Sequence, residues 1–238
     1  MFMEFTFGII TSGNNFQQII KIIESIKNLS IKNYEILIIG GNNTYETEES
    51  VRYHPFNDEL KKGWITKKKN IITKKAKYEN IVYLHDYIIF DKNWYKGFLK
   101  FGNEYDIAMN KILNKDKKRF RDWTLWPENE NFIDDIVSQK LNCLLPYNED
   151  HLSKHMYISG TYWVAKKKVM EEFPLNEKLL WGEGEDVEWS KRVRQKYQFK
   201  MNKYSTVMFL KQKRNDFKKT SFRDLNKINK YIKESKIS

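Results

Sequence analysis

The sequence predicts an α/β protein built as a single domain on a mostly parallel, Rossmann-like sheet. Three observations carry this: short apolar runs that end in polar or glycine-containing turns, isoleucines at helical spacing between the first two runs, and a length of 238 residues, long for one average domain and short for two.

Residues 5–11 form an apolar run that closes on Ser12-Gly13-Asn14-Asn15, the pattern of a strand turning into a helix. Phe16, Ile19, Ile20, Ile23 and Ile26 then recur at helical spacing. Residues 35–39 are a second run, closed by Gly40-Gly41-Asn42-Asn43, so the chain opens with strand, helix, strand, the unit that lays two strands parallel. Ile65, Ile72 and Ala76 among lysines predict a helix over residues 64–77, and residues 81–84 a third strand ending at His85-Asp86. Trp94, Phe98 and Leu99 predict a helix after Asp91. Strands are expected at 106–113 and 156–165, a charged helix at 184–197 and a strand at 204–210. From Lys211 the chain is strongly basic, with Phe222, Leu225, Ile228 and Ile232 spaced for an amphipathic helix, which divides it into a domain of residues 1–210 and an extension of residues 211–238. In open α/β sheets ligands bind beyond the carboxyl ends of the strands, where strand order reverses, so Thr11, Gly40 and Asp86 are expected to converge on one crevice.

Apolar residues at 40% and aromatics at 15% exclude a disordered chain. The net charge of +12, from 43 Lys and Arg against 31 Asp and Glu, favours anionic partners: nucleotide phosphates, nucleic acid or an acidic membrane face. No RRM, KH, zinc-finger or helix-turn-helix signature accompanies the charge, so nucleic acid is not the expected partner. The single cysteine, Cys143, excludes an internal disulfide and a cysteine-based zinc cluster. Glu4 stands early, no basic leader precedes it, and no run of about eighteen apolar residues occurs. The expectation is a cytoplasmic protein, with the basic tail offering peripheral contact to an anionic membrane.

Three segments resemble landmarks of the family 2 glycosyltransferases of the GT-A fold, and together they cover residues 5–195. The first is the strand at 5–11 with Thr11-Ser12-Gly13-Asn14, where the family holds the nucleobase and ribose of a nucleotide-sugar donor; an ordinary strand-to-helix turn with a Ser or Asn cap is the alternative. The chain departs from the family at its second strand, where Ile39-Gly40-Gly41-Asn42 stands in place of the acidic residue that grips uracil or ribose. The second is Gly63-Trp64-Ile65-Thr66-Lys67-Lys68-Lys69-Asn70 leading to Leu84-His85-Asp86, which resembles the basic helix before the metal-binding DxD. The resemblance implies Lys69, Asn70 and His85 at the diphosphate and Asp86 as ligand of Mn²⁺ or Mg²⁺. His85-Asp86-Tyr87 is not a literal DxD and no histidine follows residue 155, so Lys211 is an alternative source of positive charge.

The third landmark is Gly160-Thr161-Tyr162-Trp163-Val164-Ala165 followed by Trp181-Gly182-Glu183-Gly184-Glu185-Asp186, which resembles the family's acceptor-side strand and its Glu-Asp helix start. It implies an inverting, hexosyltransferase-like enzyme of polysaccharide biosynthesis. Asp186 would be its general base and Glu185 would orient the acceptor, with Trp181, Glu183, Trp163 and His155 at the acceptor. Acidic residues that merely complement the helix dipole are the alternative reading. His151 and His155, four apart, lack the H-E-x-x-H pattern of a zinc site. A UDP-sugar is the expected donor and a glycan, lipid-linked or protein hydroxyl the acceptor; a non-catalytic sugar-nucleotide binder is the competing function.

Overall fold

Strand β1 (Phe5–Ile10) is buried along its entire length, as a strand covered on both faces of a sheet must be. In the computed structural model, which describes residues 2–41, 49–125, 143–147, 150–214, 218, 219, 226 and 230, it is paired in parallel with β2 (Tyr34–Ile39) on one side and β4 (Asn80–His85) on the other. Beyond β2 lies the parallel edge strand β3 (Val51–His54). On the other flank β10 (Tyr162–Lys166) runs antiparallel to β4 and to β6 (Ile107–Leu113). Strand β6 pairs in parallel with β11 (Phe199–Phe209), and β11 with the short antiparallel β5 (Ile88–Phe90). The order of this eight-stranded sheet is β3-β2-β1-β4-β10-β6-β11-β5. A second sheet of two-residue strands is ordered β12 (Lys218–Lys219), β8 (Cys143–Leu144), β7 (Thr124–Leu125), β9 (Met156–Tyr157).

The helices are α1 (Phe16–Lys27), α2 (Ile65–Lys75), α3 (Trp94–Phe101), α4 (Lys167–Glu172) and α5 (Glu185–Val193), with a 3₁₀ turn at Asp150–His155. Helix α1 buries Ile19, Ile22 and Ile26, one stripe of its face. Phe5 and Phe7 of β1 meet Trp94 of α3 at ring distances of 5.2 and 5.6 Å, and Trp94 donates its indole N–H to Tyr162 Oη at 2.9 Å, so the aromatic cluster also satisfies its buried polar atoms.

The expected elements form, with three differences. The strand expected at 156–165 divides into β9 and β10, because the chain turns at Ser159–Tyr162, where the Tyr162 N–H returns to the Ser159 carbonyl at 3.1 Å. The helix expected to reach residue 197 ends at Val193. The strand expected from residue 204 begins at Phe199, with its pairing register shifted between Asn202 and Thr206. Asn42 and the tail positions Phe222, Leu225, Ile228 and Ile232 lie outside the described residues. Among the described residues no helix is long and apolar enough to cross a membrane.

Candidate active site

The strand order places β2 and β3 on one side of β1 and β4 on the other, so the order reverses between β1 and β4. The residues leaving these two strands meet there: Thr11 Oγ1 donates to Asp86 Oδ2 at 2.8 Å, and Asn15 Nδ2 donates to the same oxygen at 2.9 Å. Asn15 precedes α1 without capping it; its amide is spent on Asp86 instead. Gly40, at the end of β2, has φ +124, and a Cβ there would lie 1.8 Å from the Thr11 carbonyl oxygen. Only glycine lets the two strand ends approach so closely. Lys68 fixes the same turn from α2, donating to the Thr11 carbonyl at 2.6 Å and pairing with Asp58 at 2.5 Å.

Beside this junction opens a cleft of about 780 Å³, within the range of small-molecule sites. Thr11, Ser12, Asn14 and Asn15 form one wall, and His85, Asp86 and Lys211 stand at its base. Trp64, Trp181 and Glu183 form the facing wall. That wall is held by a ladder of contacts from α2 to an extended segment: Asn70 Nδ2 to the Leu175 carbonyl at 2.9 Å, Trp64 Nε1 to Glu177 at 2.7 Å, Thr66 Oγ1 to Leu179 at 2.9 Å, and the Trp181 N–H to the Gly63 carbonyl at 2.9 Å. Trp181 is left 67% exposed at the rim.

Gly160, just before β10, joins the cleft base to α5. Its N–H donates to Asp186 Oδ2 at 2.8 Å, its carbonyl accepts from Lys69 Nζ at 2.7 Å, and its backbone is hydrogen-bonded to the His85 ring. Asp186 Oδ1 accepts from the Val187 N–H at 2.9 Å, so both carboxylate oxygens are oriented by backbone amides at the amino end of α5. Burial, and secondarily the charge of Asp186, push Glu185 above the usual carboxylate range. Burial pushes Lys69 down to about 8, opposed by Glu185 and Asp186. Burial foremost, then the cations Lys69, Lys213 and Lys211, hold His85 well below the usual imidazole range, so it is neutral at pH 7.

Of the expected donor residues, Thr11, Ser12, Asn14, His85 and Asp86 line the cleft, while Gly13 and Gly40 shape the turn behind it. Two residues of the basic helix lie outside the cleft lining. Lys69 is 1% exposed, bound to Gly160 and set 4.6 Å from the Trp163 ring centre. Asn70 spends its amide on Leu175 and Glu177 and lines a separate hollow with Thr73 and Arg192. On the acceptor side Trp181 and Glu183 line the cleft. Trp163 does not: fully buried, it stacks on Tyr83 at 4.7 Å and packs against Trp189, a core residue in place of a sugar platform. His155 ends the 3₁₀ turn, half-buried and outside the cleft lining, and Asp186 stands beside the lining, linked to it through Gly160. Sequence reasoning missed Asn15, Lys68, Asp58, Arg121 and Lys213; the Asn pair at 14 and 15 was the one visible signal.

The protein's own side chains do not by themselves assemble a metal site at Asp86. Among the described residues no group of three or more His, Cys, Asp or Glu side chains gathers to hold a metal, and Asp86 Oδ2 is already taken by Thr11 and Asn15. A hard cation takes about six oxygens, which one or two carboxylates share with substrate phosphates and water, and here the protein's share is Asp86 alone. Cations stand there instead: burial foremost, then Lys211 and Arg121, push Lys213 down to about 8, with Asp86 opposing.

No protein-family profile and no curated protein sequence matches this chain. Solved structures do. One is described as GalNAc-T7 with UDP, GalNAc and Mn²⁺; it superposes with a TM-score of 0.62 at 15% identity over 89% of this chain and 44% of that one. Another is TarS 1-349 of S. aureus, with a TM-score of 0.57 at 14% identity over 95% of this chain and 63% of that one. The same protein in complex with UDP superposes at 0.54 with 13% identity. The fold is GT-A. This chain spans less than two thirds of either neighbour, and at such identities the likeness speaks to the GT-A architecture, a mixed α/β domain with a large, mostly parallel sheet flanked by helices.

Proposed function

We propose that this chain is an inverting glycosyltransferase, similar to family 2, that takes a nucleotide-sugar donor into the cleft at the β1–β4 junction and transfers the sugar to an acceptor hydroxyl with Asp186 as general base. The observation that carries the reading is the coupling of that cleft, through the single residue Gly160, to a carboxylate fixed by two backbone amides. The wall of Thr11, Ser12, Asn14 and Asn15 offers hydroxyl and amide groups to a nucleoside, and Asp58, held by Lys68 in the same cleft, supplies a carboxylate where the second strand has none. UDP in complexes of neighbouring folds supports a uridine nucleotide.

In the displacement, the acceptor oxygen attacks the anomeric carbon and its proton passes to Asp186. The bond from that carbon to the diphosphate breaks with its electron pair on the departing oxygen, and the anomeric configuration inverts. The lone pairs of Asp186 left free by Gly160 and Val187 take the proton. Neutral His85 hydrogen-bonds to Gly160 and steadies the hub without adding charge. Trp181 offers its exposed face to the apolar face of a sugar ring. The domain reading of residues 1–210 with a basic extension, peripheral membrane contact through that extension, and a glycan or lipid-linked acceptor belong to the same proposal.

The test begins with a thermal-shift screen of UDP-, GDP-, CMP- and dTDP-sugars, followed by Asp186→Asn with the donor that stabilises the protein. The expected result is turnover reduced by about 10³-fold or more with donor affinity changed less than about twofold. Retained turnover removes Asp186 from the role of base.

A further inference from the structure

Next to Lys211, which lines the cleft, further cations gather around one tyrosine. The Lys211 and Lys213 ammonium groups lie 4.0 and 4.3 Å from the centre of the Tyr87 ring, and Lys213 Nζ donates to Tyr87 Oη at 2.8 Å. Arg121 is near enough to act electrostatically on both Lys213 and Tyr87. Among the described residues neither lysine forms an ion pair, and the one carboxylate that acts on Lys213, Asp86, stands against two like charges, Lys211 and Arg121.

The chain nevertheless holds the cluster rigidly. Asn114, 1% exposed, grips the Lys213 backbone from both sides, its Nδ2 donating to the carbonyl at 2.6 Å and its Oδ1 accepting the N–H at 2.8 Å. The Leu210 N–H is tied to the Tyr87 carbonyl at 2.9 Å. Arg121 has a φ of +36, a region a non-glycine residue occupies only under constraint, and its neighbour Asp122 is pinned by Arg119 at 2.6 Å and by Tyr147 at 2.6 Å. Lys211 lines the cleft with Asp86 and His85, so the cluster reaches through Lys211 to the point where strand order reverses and a donor's phosphates belong.

We infer that Lys211, Lys213 and Arg121 form a diphosphate site that neutralises the departing nucleoside diphosphate without a divalent cation. This rests on the nucleotide-sugar reading above. When the anomeric carbon–oxygen bond breaks, the electron pair leaves one added negative charge on the diphosphate, and the two ammonium groups and the guanidinium are placed to receive it. Asp86 then serves to clamp the Thr11 turn, and its carboxylate repels the phosphates in place of coordinating a metal between them.

The test is titration calorimetry of chelator-treated protein with UDP and with inorganic pyrophosphate, repeated in millimolar Mn²⁺. Both probes are expected to bind without metal, and Mn²⁺ should change either affinity by less than about threefold. Lys213→Ala should weaken both by about tenfold, the scale of one charge-assisted hydrogen bond, and Lys213→Arg should restore them. Asp86→Asn, which keeps an acceptor for Thr11, should bind pyrophosphate as tightly as the parent or more tightly. Binding of UDP only when Mn²⁺ is present, or its loss in Asp86→Asn, overturns the inference and leaves the donor reading standing. Failure of both probes with and without Mn²⁺ overturns the two together. Unchanged affinities in folded Lys213→Ala and Lys211→Ala variants also overturn it.

Discussion

Gly160→Ala tests the coupling between the cleft and Asp186, the proposed general base. A Cβ at this position would lie 3.0 Å from both Asp186 Oδ2 and Glu185 Oε1 and 3.1 Å from Asp186 Cβ, where ordinary contacts begin at 3.4 Å. The two carboxylates must therefore retreat by about 0.4 Å, and Asp186 cannot do so without stretching its 2.8 Å bond from the Gly160 N–H. A misplacement of about 1 Å at a reacting group lowers the rate by ~10²-fold, so the logarithm scaled to 0.4 Å gives a loss of roughly sixfold, rising toward ~100-fold if the bond breaks. Overpacking should lower stability by about 1–3 kcal/mol. The assay pairs steady-state turnover with donor affinity and a denaturant melt. The expected pattern is a fall in kcat, donor affinity changed less than about twofold, and a folded protein. Full turnover in a folded variant would refute the idea that Gly160 sets the position of the base.

Three further outcomes follow from the same geometry. Lys69 loses its proton near pH 8 when folded and near 10.5 when unfolded, so the unfolded chain binds more protons between those values and stability rises with pH across that window. Lys69→Met should abolish about 2 kcal/mol of that rise, read as the difference between the two proteins' stability at pH 8 and pH 10 by urea melts, and an identical slope contradicts the buried ammonium. Trp163→Ala should cost about 3–5 kcal/mol by removing a ring stacked on Tyr83 and packed against Trp189, whereas Trp163→Phe should retain turnover within about threefold; a selective rise in acceptor KM in the Phe variant would return Trp163 to the acceptor site. Trp181→Ala should leave stability within about 0.5 kcal/mol, since the ring is mostly exposed, yet raise an acceptor or donor KM by about fivefold or more, and an unchanged KM for both removes it from recognition.

The parallel half of the sheet was legible because β1, β2 and β4 are buried on both faces and read as unbroken apolar runs, and the junction of Thr11 with Asp86 follows from strand order alone. Strand β3, with the sequence VRYH, was not legible: an edge strand half open to solvent has no apolar signature. The first part of β11, before Tyr204, was hidden because Asn202 and Lys203 interrupt its apolar run at the register shift, where Asn202 Nδ2 donates to Ser205 Oγ at 2.8 Å. Lysines defeated the site reading in both directions. Lys69 was expected at the diphosphate and is buried against Gly160, while Lys213 fell within the basic extension and is held by Asn114, ninety-nine positions away. Such partners are set by tertiary contact, which spacing along the chain does not encode.

The reversed direction of β10 has a consequence for how this molecule is able to change. A parallel strand presents its exit to the ligand edge, but β10 presents its beginning, so the chain reaches Gly160 and Thr161 from outside the sheet before entering the core. The binding surface is thereby assembled from two independent supplies: the outgoing ends of β1 and β4, locked into the sheet, and the incoming stretch ahead of β10, which is not. Substitutions or insertions upstream of residue 156 can remodel what approaches the carboxylates while the β1–β4 junction keeps its register. If the proposed transfer holds, a change of acceptor would leave its traces in the first supply last.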